Sequence, residues 1–239
     1  MAPCRPKANI PLNLMLMTTA DPERQPRTTM NTAIFFDLDG TLSDPKIGIV
    51  RSIRHALDRL GMECPSDDEL TWCIGPPLLD SFGEIVGSAL APKALEHYRE
   101  RFSVYGWKEN QPYPGIIDVL RRLAESGKVL YVATSKPVVF ADKIIRHFEM
   151  DQYFSRIFGS ELDGTRANKG DLLRYALAEV DPTSQSVMVG DRYHDILGAK
   201  ANRIRSIGVT YGYGSRGELE RAGADVVIDS PDQLFLELA

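Results

Sequence analysis

Hydrophobic and polar positions along this chain fall into two regimes. Ile34-Phe35-Phe36 is a continuous apolar run, the pattern of a strand buried on both faces, and it ends abruptly in Asp37-Leu38-Asp39-Gly40-Thr41. Between Ile47 and Gln111 no strand pattern occurs. There Ile49, Val50, Ile53, Ala56, Leu57 and Leu60 recur at helical spacing until Gly61 stops the run. Further helices are predicted over 67–72, capped by Ser66, over 77–86 and over 92–105, with Gly75-Pro76-Pro77 as a rigid turn. Beyond Gly115 helix and strand alternate. A helix over 116–126 leads to a strand over 129–133 that ends in Thr134-Ser135-Lys136, and a helix over 138–148 follows. Next come a short strand at 157–158, a helix over 171–178, and a strand over 186–189 ending in Gly190-Asp191. Asp195 then opens a helix to Ala201, and strands over 206–209 and 225–228 complete the set.

Strands separated by helices require crossover connections, so the pattern predicts a parallel sheet covered on both faces, which binds ligands at its carboxyl edge. The expected organisation is a core of 31–44 and 114–239, interrupted by a helical block over 45–113. Pro45 on one side and Pro112-Tyr113-Pro114-Gly115 on the other mark a hinge. Residues 1–30 are rich in Pro, Thr and Arg and are expected to form a disordered extension, with Met30 as an alternative start just before the first strand.

Composition narrows the function classes. The chain has 239 residues, 43% hydrophobic and 26% charged, which is ordinary globular composition. A net charge of -5 offers no field for a nucleic acid polymer or an anionic membrane, and no apolar run reaches the roughly 20 residues of a membrane helix. Cys4, Cys64 and Cys73 lack disulfide or zinc spacing and read as reduced thiols of a cytoplasmic protein. His55, His97, His147 and His194 show no ligand spacing and read as helix-surface residues.

The candidate chemistry sits at the strand ends. Ionised carboxylates lose several kcal/mol on leaving water unless a cation meets them, so Asp37 and Asp39 at the mouth of a buried strand predict a metal ion or a site. Taken alone, the stretch also admits the lesser reading of an acidic Asp-Gly turn, and the rest of the chain decides. Asp37, Asp39, Thr134, Ser135, Asp191 and Asp195 fall on one sheet edge, with Lys169 in a loop before a helix. Several carboxylates, a hydroxyl and an ammonium suit a hard divalent cation, magnesium first, and the positioning and charge neutralisation that phosphoryl transfer needs. Lys136 opens a helix and reads as a solvated residue, so Lys169 is favoured for neutralising phosphate. Arg166 reads as a solvated loop residue, and Tyr193 and His194 as minor candidates for touching substrate.

Four motifs in order, Asp37-Leu38-Asp39-Gly40-Thr41, Thr134, Lys169 and Gly190-Asp191-Arg192-Tyr193-His194-Asp195, resemble those of the haloacid dehalogenase superfamily of phosphohydrolases. The resemblance implies an α/β fold, a Rossmann-like parallel-sheet core with an inserted α-helical cap domain. It implies Asp37 as the nucleophile that becomes an aspartyl-phosphate, Asp39 as general acid and base, and Thr134 and Lys169 as phosphoryl-binding groups, with Ser135 and the Gly40 amide as further candidates. Asp37, Asp39 through its backbone carbonyl, Asp191 and Asp195 would hold Mg2+. The chain is most similar to the phosphoglycolate phosphatase-like branch. In Gly75-Pro76-Pro77-Leu78, Ala133-Thr134-Ser135-Lys136-Pro137 and Tyr211-Gly212-Tyr213-Gly214-Ser215 it resembles members described as 5'-nucleotidases. The expected partner is a small phosphorylated metabolite, a nucleoside 5'-monophosphate first and phosphoglycolate second. Gly75 to Leu78 and the helix around Arg51 and Arg54 are the candidate selectors. A sugar phosphomutase and a regulatory protein that lost turnover remain lesser alternatives.

Overall fold

The apolar run after Thr32 becomes β1 (Thr32–Phe36), the centre of a six-stranded parallel sheet in a computed structural model that describes residue 1, residues 32–180 and residues 185–238. Apart from Met1, the expected extension over 1–30 lies outside the described residues. After β1 the chain forms a two-residue strand, β2 (Ser43–Asp44), and enters α1 (Lys46–Arg59), α2 (Leu78–Val86) and α3 (Ala91–Phe102). It returns through β3 (Gln111–Pro112), which pairs antiparallel with β2. The rest alternates as expected: α4 (Ile116–Glu125), β4 (Val129–Pro137), α5 (Val138–His147), β5 (Phe154–Ser160), α6 (Lys169–Ala178), β6 (Gln185–Gly190), α7 (Tyr193–Ala201), β7 (Arg205–Val209), α8 (Arg216–Ala222), β8 (Val226–Ile228) and α9 (Pro231–Leu238).

The sheet order is β5-β4-β1-β6-β7-β8. Phe36 at the end of β1 pairs in register with Val132 of β4 and Val189 of β6. The polar residues that follow these three strands therefore leave the sheet side by side. Both faces of β1 are buried, and the period of two assigns each residue its layer. Ile34 and Phe36 pack with Ile116, Val119, Leu120 and Leu123 of α4, while Ala33 and Phe35 pack with Leu172, Leu173 and Ala176 of α6. The 116, 119, 120, 123 spacing is the buried stripe of an amphipathic helix.

The inserted helices have an apolar cluster of their own, built from Ile49, Ile53, Leu57, Phe82, Ala94, Tyr98 and Phe102. Phe140 of α5 joins it, edge-on to Phe102 with ring centroids 5.2 Å apart. Burying one such ring contributes about 1.5–3 kcal/mol.

Several expectations need correction. Residues 67–72 do not form an α-helix: a turn leads to a 3-10 segment at Thr71–Cys73. Glu69 Oε2 accepts the Ser66 amide at 2.9 Å and Ser66 Oγ accepts the Glu69 amide at 3.4 Å, as a capping pair would. The extended Ile74 and the prolines that follow leave room for little more than one turn. The strand expected at 157–158 spans seven residues, Phe154–Ser160. His97 is buried, not on the surface, with Nδ1 3.1 Å from Glu100 Oε1.

Candidate active site

β1 stops at Phe36, and the Asp37 amide extends its ladder by one bond to the Val189 carbonyl at 2.9 Å. The chain then coils about the carbonyl of Leu38, which accepts from the amides of Thr41, Leu42 and Ser43. Asp37 and Asp39 thus reach one cleft through a tight turn rather than by continued strand alternation. Gly40 makes that turn possible, with φ at +84°, where a Cβ would lie 2.2 Å from Asp191 Oδ2. The carboxylate from β6 rests where a side chain would stand.

Asp37, Asp191 and Asp195 each bring one carboxylate oxygen within 4.8 Å of the others, and all three are buried. The ammonium of Lys169, the first residue of α6, lies 2.9 Å from Asp37 Oδ1 and 2.8 Å from Asp195 Oδ1. Its aligned hydrogen bond runs to the Ala133 carbonyl at 2.8 Å, so the two carboxylates meet it mainly as charge. Asp191 accepts from the Tyr213 amide at 2.8 Å, and Asp195 from the Arg192 amide at 3.1 Å.

Three buried acids around one ammonium leave an excess of negative charge. Burial, then the charges of Asp195 and Asp37, hold the Asp191 carboxyl well above its ordinary range. Burial likewise pushes Asp195 up to about 6, against the pull of Lys169. For Lys169, burial alone would favour the neutral amine, but Asp195 and Asp37 outweigh it and the group is held above its usual value. A set of carboxylate oxygens that repel one another in a dry site fits a divalent cation, which would relieve both effects.

Thr134 is buried at the end of β4, and its hydroxyl oxygen accepts the Lys136 amide at 3.2 Å, which leaves its O–H free to donate into the cleft. Ser135 lines the same cleft, its carbonyl accepting from Ser160 Oγ. Lys136 overturns the reading of a solvated residue. Its side chain is 6% exposed, its ammonium lies 2.5 Å from Asp39 Oδ2, and it stands 4.9 Å from the centroid of Phe102 on α3. Asp39 Oδ1 is buried without a hydrogen-bond partner among the described residues, and burial raises the Asp39 carboxyl even against Lys136. The side chain of Asp39 thus faces Lys136, while the acid cluster takes Asp37, Asp191 and Asp195. The signal for Lys136 was in the sequence: Pro137 keeps the preceding residue extended, so β4 continues past Thr134 to Pro137, with a register shift against β5 between Thr134 and Pro137 that turns Lys136 into the cleft.

Above the acids, the cleft is walled by Ile49, Leu78, Leu95, Tyr98, Phe102 and Phe140, with Gly75, Pro76 and Pro77 along one side. Arg51 and Arg54 do not line it: Arg51 pairs with Glu109 at 2.7 Å, and Arg54 pairs with Asp67. Arg99 lines it instead and donates to the Leu162 carbonyl at 2.7 Å. Arg166 is not a free loop residue, being paired with Glu161. His194 keeps a buried Nδ1 without a partner, its ring centroid 3.8 Å from that of Tyr193.

The chain is similar to several known proteins. A 5'-nucleotidase of Pseudomonas aeruginosa is 51% identical over 189 residues, which cover 78% of this chain and 86% of that protein. A phosphoglycolate phosphatase of Agrobacterium fabrum is 32% identical over 209 residues, covering 81% and 86%. The solved structure of Protein Tyrosine Kinase A from Mycobacterium tuberculosis superposes with a TM-score of 0.78 at 37% identity, covering 88% of this chain and 99% of that one. Residues 34–209, from the first strand through β7, match the haloacid dehalogenase-like hydrolases, and the chain belongs to that family.

Proposed function

We propose that this chain, a phosphatase of the haloacid dehalogenase-like family, hydrolyses nucleoside 5'-monophosphates, with residues 45–113 acting as a cap domain over a core of 31–44 and 114–239. The observation that carries the substrate is the cleft wall. Ile49, Leu78, Leu95, Tyr98, Phe102 and Phe140 offer an apolar, partly aromatic surface suited to a nucleoside, directly above a cluster suited to phosphate. The relative named a 5'-nucleotidase supports the same choice. Arg99 favours a second reading, phosphoglycolate, because it is a cation in the cleft lining, suited to a carboxylate.

In the proposed reaction an Asp37 oxygen attacks phosphorus, and the bond from phosphorus to the leaving oxygen breaks. Asp39 gives that oxygen its proton. The resulting aspartyl-phosphate is then hydrolysed by water, whose proton Asp39 takes, releasing phosphate and restoring Asp37. The Thr134 hydroxyl donates to a phosphoryl oxygen, Lys169 offsets the charge of nucleophile and phosphate, and Gly40 and Ser135 border the phosphoryl position. Lys136 holds Asp39 toward the cleft. Magnesium held by Asp37, Asp191, Asp195 and the backbone carbonyl of Asp39 would supply charge neutralisation for the phosphoryl group. No helix among the described residues is long and apolar enough to cross a membrane, and the free thiols of Cys64 and Cys73 suit a cytoplasmic protein.

The test is phosphate release with magnesium, and with chelator as control, across nucleoside 5'-monophosphates, phosphoglycolate and sugar phosphates. Magnesium-dependent release led by the nucleotides is expected. Release led by phosphoglycolate would move the assignment to the second reading, and no release from any ester would overturn both.

A further inference from the structure

Arg192 stands between two members of the acid cluster in sequence, yet its side chain leaves the site. Its amide donates to Asp195 Oδ2, while its guanidinium donates through Nε to Glu218 Oε1 at 2.9 Å and through a terminal nitrogen to the carbonyl of Ile74 at 2.5 Å. Ile74 belongs to the helical insertion and runs directly into Gly75-Pro76-Pro77, the side wall of the cleft. One residue therefore touches the cluster with its backbone and the wall with its side chain.

The surroundings are built for this reach. The Arg192 side chain is 12% exposed, and Glu218, which aims it, also accepts the Tyr193 amide at 3.0 Å. On the opposite side Gly75 has φ at +107°, and a Cβ there would lie 2.9 Å from Arg192 Cγ. The approach thus needs glycine in the wall as well as arginine in the core. A guanidinium meets two acceptors at fixed angles at once, which a lysine cannot do.

We propose that Arg192 is a positioning residue of the cleft: it pins the Ile74 to Pro77 segment to the loop carrying Asp191 and Asp195, and so sets how closely the wall approaches the leaving group of a bound phosphate ester. The bond from Arg99 to the Leu162 carbonyl crosses between insertion and core in the opposite sense, at an exposed position. Arg192 forms the inner and better-buried of these two clasps. The proposal rests on the phosphatase reading only in its kinetic arm.

Hydrogen exchange on the full chain, with magnesium present, tests it in Arg192→Ala, Arg192→Lys and Glu218→Gln. Loss of a hydrogen bond to a charged group predicts amide exchange about tenfold or more faster across residues 70–80 in both Arg192 variants, and a smaller rise in Glu218→Gln. Exchange across β6 stays as in the wild type. In the kinetic arm, KM for a nucleoside 5'-monophosphate rises about tenfold while kcat falls less, and methyl phosphate, whose leaving group stops short of the wall, is affected less on both counts. Unchanged exchange over 70–80 in both Arg192 variants, or an equal rise across β6, would overturn the proposal. If Arg192→Ala does not fold, Glu218→Gln decides, because Glu218 lies outside the cleft. A wild-type protein inert toward every ester would count against the phosphatase reading, and the exchange result would still decide the clasp.

Discussion

Replacing Lys136 with methionine keeps most of the length of the side chain and removes its charge from beside Asp39. The ammonium and the carboxylate are 2.5 Å apart, with side chains 6% and 10% exposed, so little water screens them. An opposite charge this close to a carboxylate lowers its pKa by about 1–3 units, and at about 1.4 kcal/mol per unit its loss is worth up to about 4 kcal/mol. Breaking a buried pair from one side costs about 3–5 kcal/mol, so the two routes agree. In the wild type burial already outweighs Lys136 and holds the Asp39 carboxyl above its ordinary value; in the variant it rises further. A group raised in the folded state lends stability that is present below its unfolded value and lost as pH climbs through its folded value. The gap in melting temperature between wild type and Lys136→Met should therefore widen from pH 5 to pH 8. With the ionised form of Asp39 as the proposed base, the acidic limb of the kcat profile should move up by about 1–3 pH units. Thermal melts at the two pH values and phosphate release between pH 5 and 10 measure both. An acidic limb that coincides with wild type, together with a gap independent of pH, would refute the pairing as the control on Asp39.

Asp37→Asn should abolish phosphate release while melting close to wild type, since the shape is kept and the proposed nucleophile lost; turnover near wild type would place the nucleophile elsewhere. Chelator should lower the melting temperature, and magnesium at about a hundred times its Kd should restore about 2.7 kcal/mol of stability. Since burial raises the Asp195 carboxyl to about 6 and raises Asp191 as well, calorimetry should show magnesium affinity falling between pH 7.5 and pH 5.5. Tyr213→Phe removes a hydroxyl that donates to Asp44 Oδ1 and should lower the denaturant midpoint by the equivalent of about 1.5–3 kcal/mol. Gly40→Ala should cost nearly all activity, because its Cβ would occupy the place of the Asp191 carboxylate; near-normal phosphate release would show that the turn relaxes without disturbing Asp191.

What the sequence made legible was whatever local pattern controls. The strand ends at Asp37, Thr134 and Asp191 were visible because apolar runs stop abruptly at polar residues, and parallel pairing then puts them on one edge. The stripe of α4 was visible from its spacing. Lys136 lies beyond the apolar run that stops at Ala133, whereas β4 runs on to Pro137, so its place in the cleft is not legible from that run. Arg192 and Glu218 are 26 residues apart, and Arg192 and Ile74 are 118 apart; no local pattern announces such pairs. Arg51 and Arg54 drew attention as charges on a cap helix, but only the tertiary structure shows that Glu109 and Asp67 take them up. The strands β2 and β3, two residues each, fall below any periodicity.

Those two strands have a consequence of their own. Ser43 faces Pro112 and Asp44 faces Gln111, so the chain leaves the sheet and returns to it at adjacent points. To the core, everything between is a single loop whose closure is fixed at its base, and closure entropy grows only slowly with loop length. With that base fixed, lengthening or shortening the insertion costs little closure entropy, and an exchanged insertion needs to keep the partners that Arg192, Leu162 and Phe140 meet in it. Grafting a relative's insertion between Asp44 and Gln111 is thus a way to change which phosphate ester is accepted while the chemistry below stays in place.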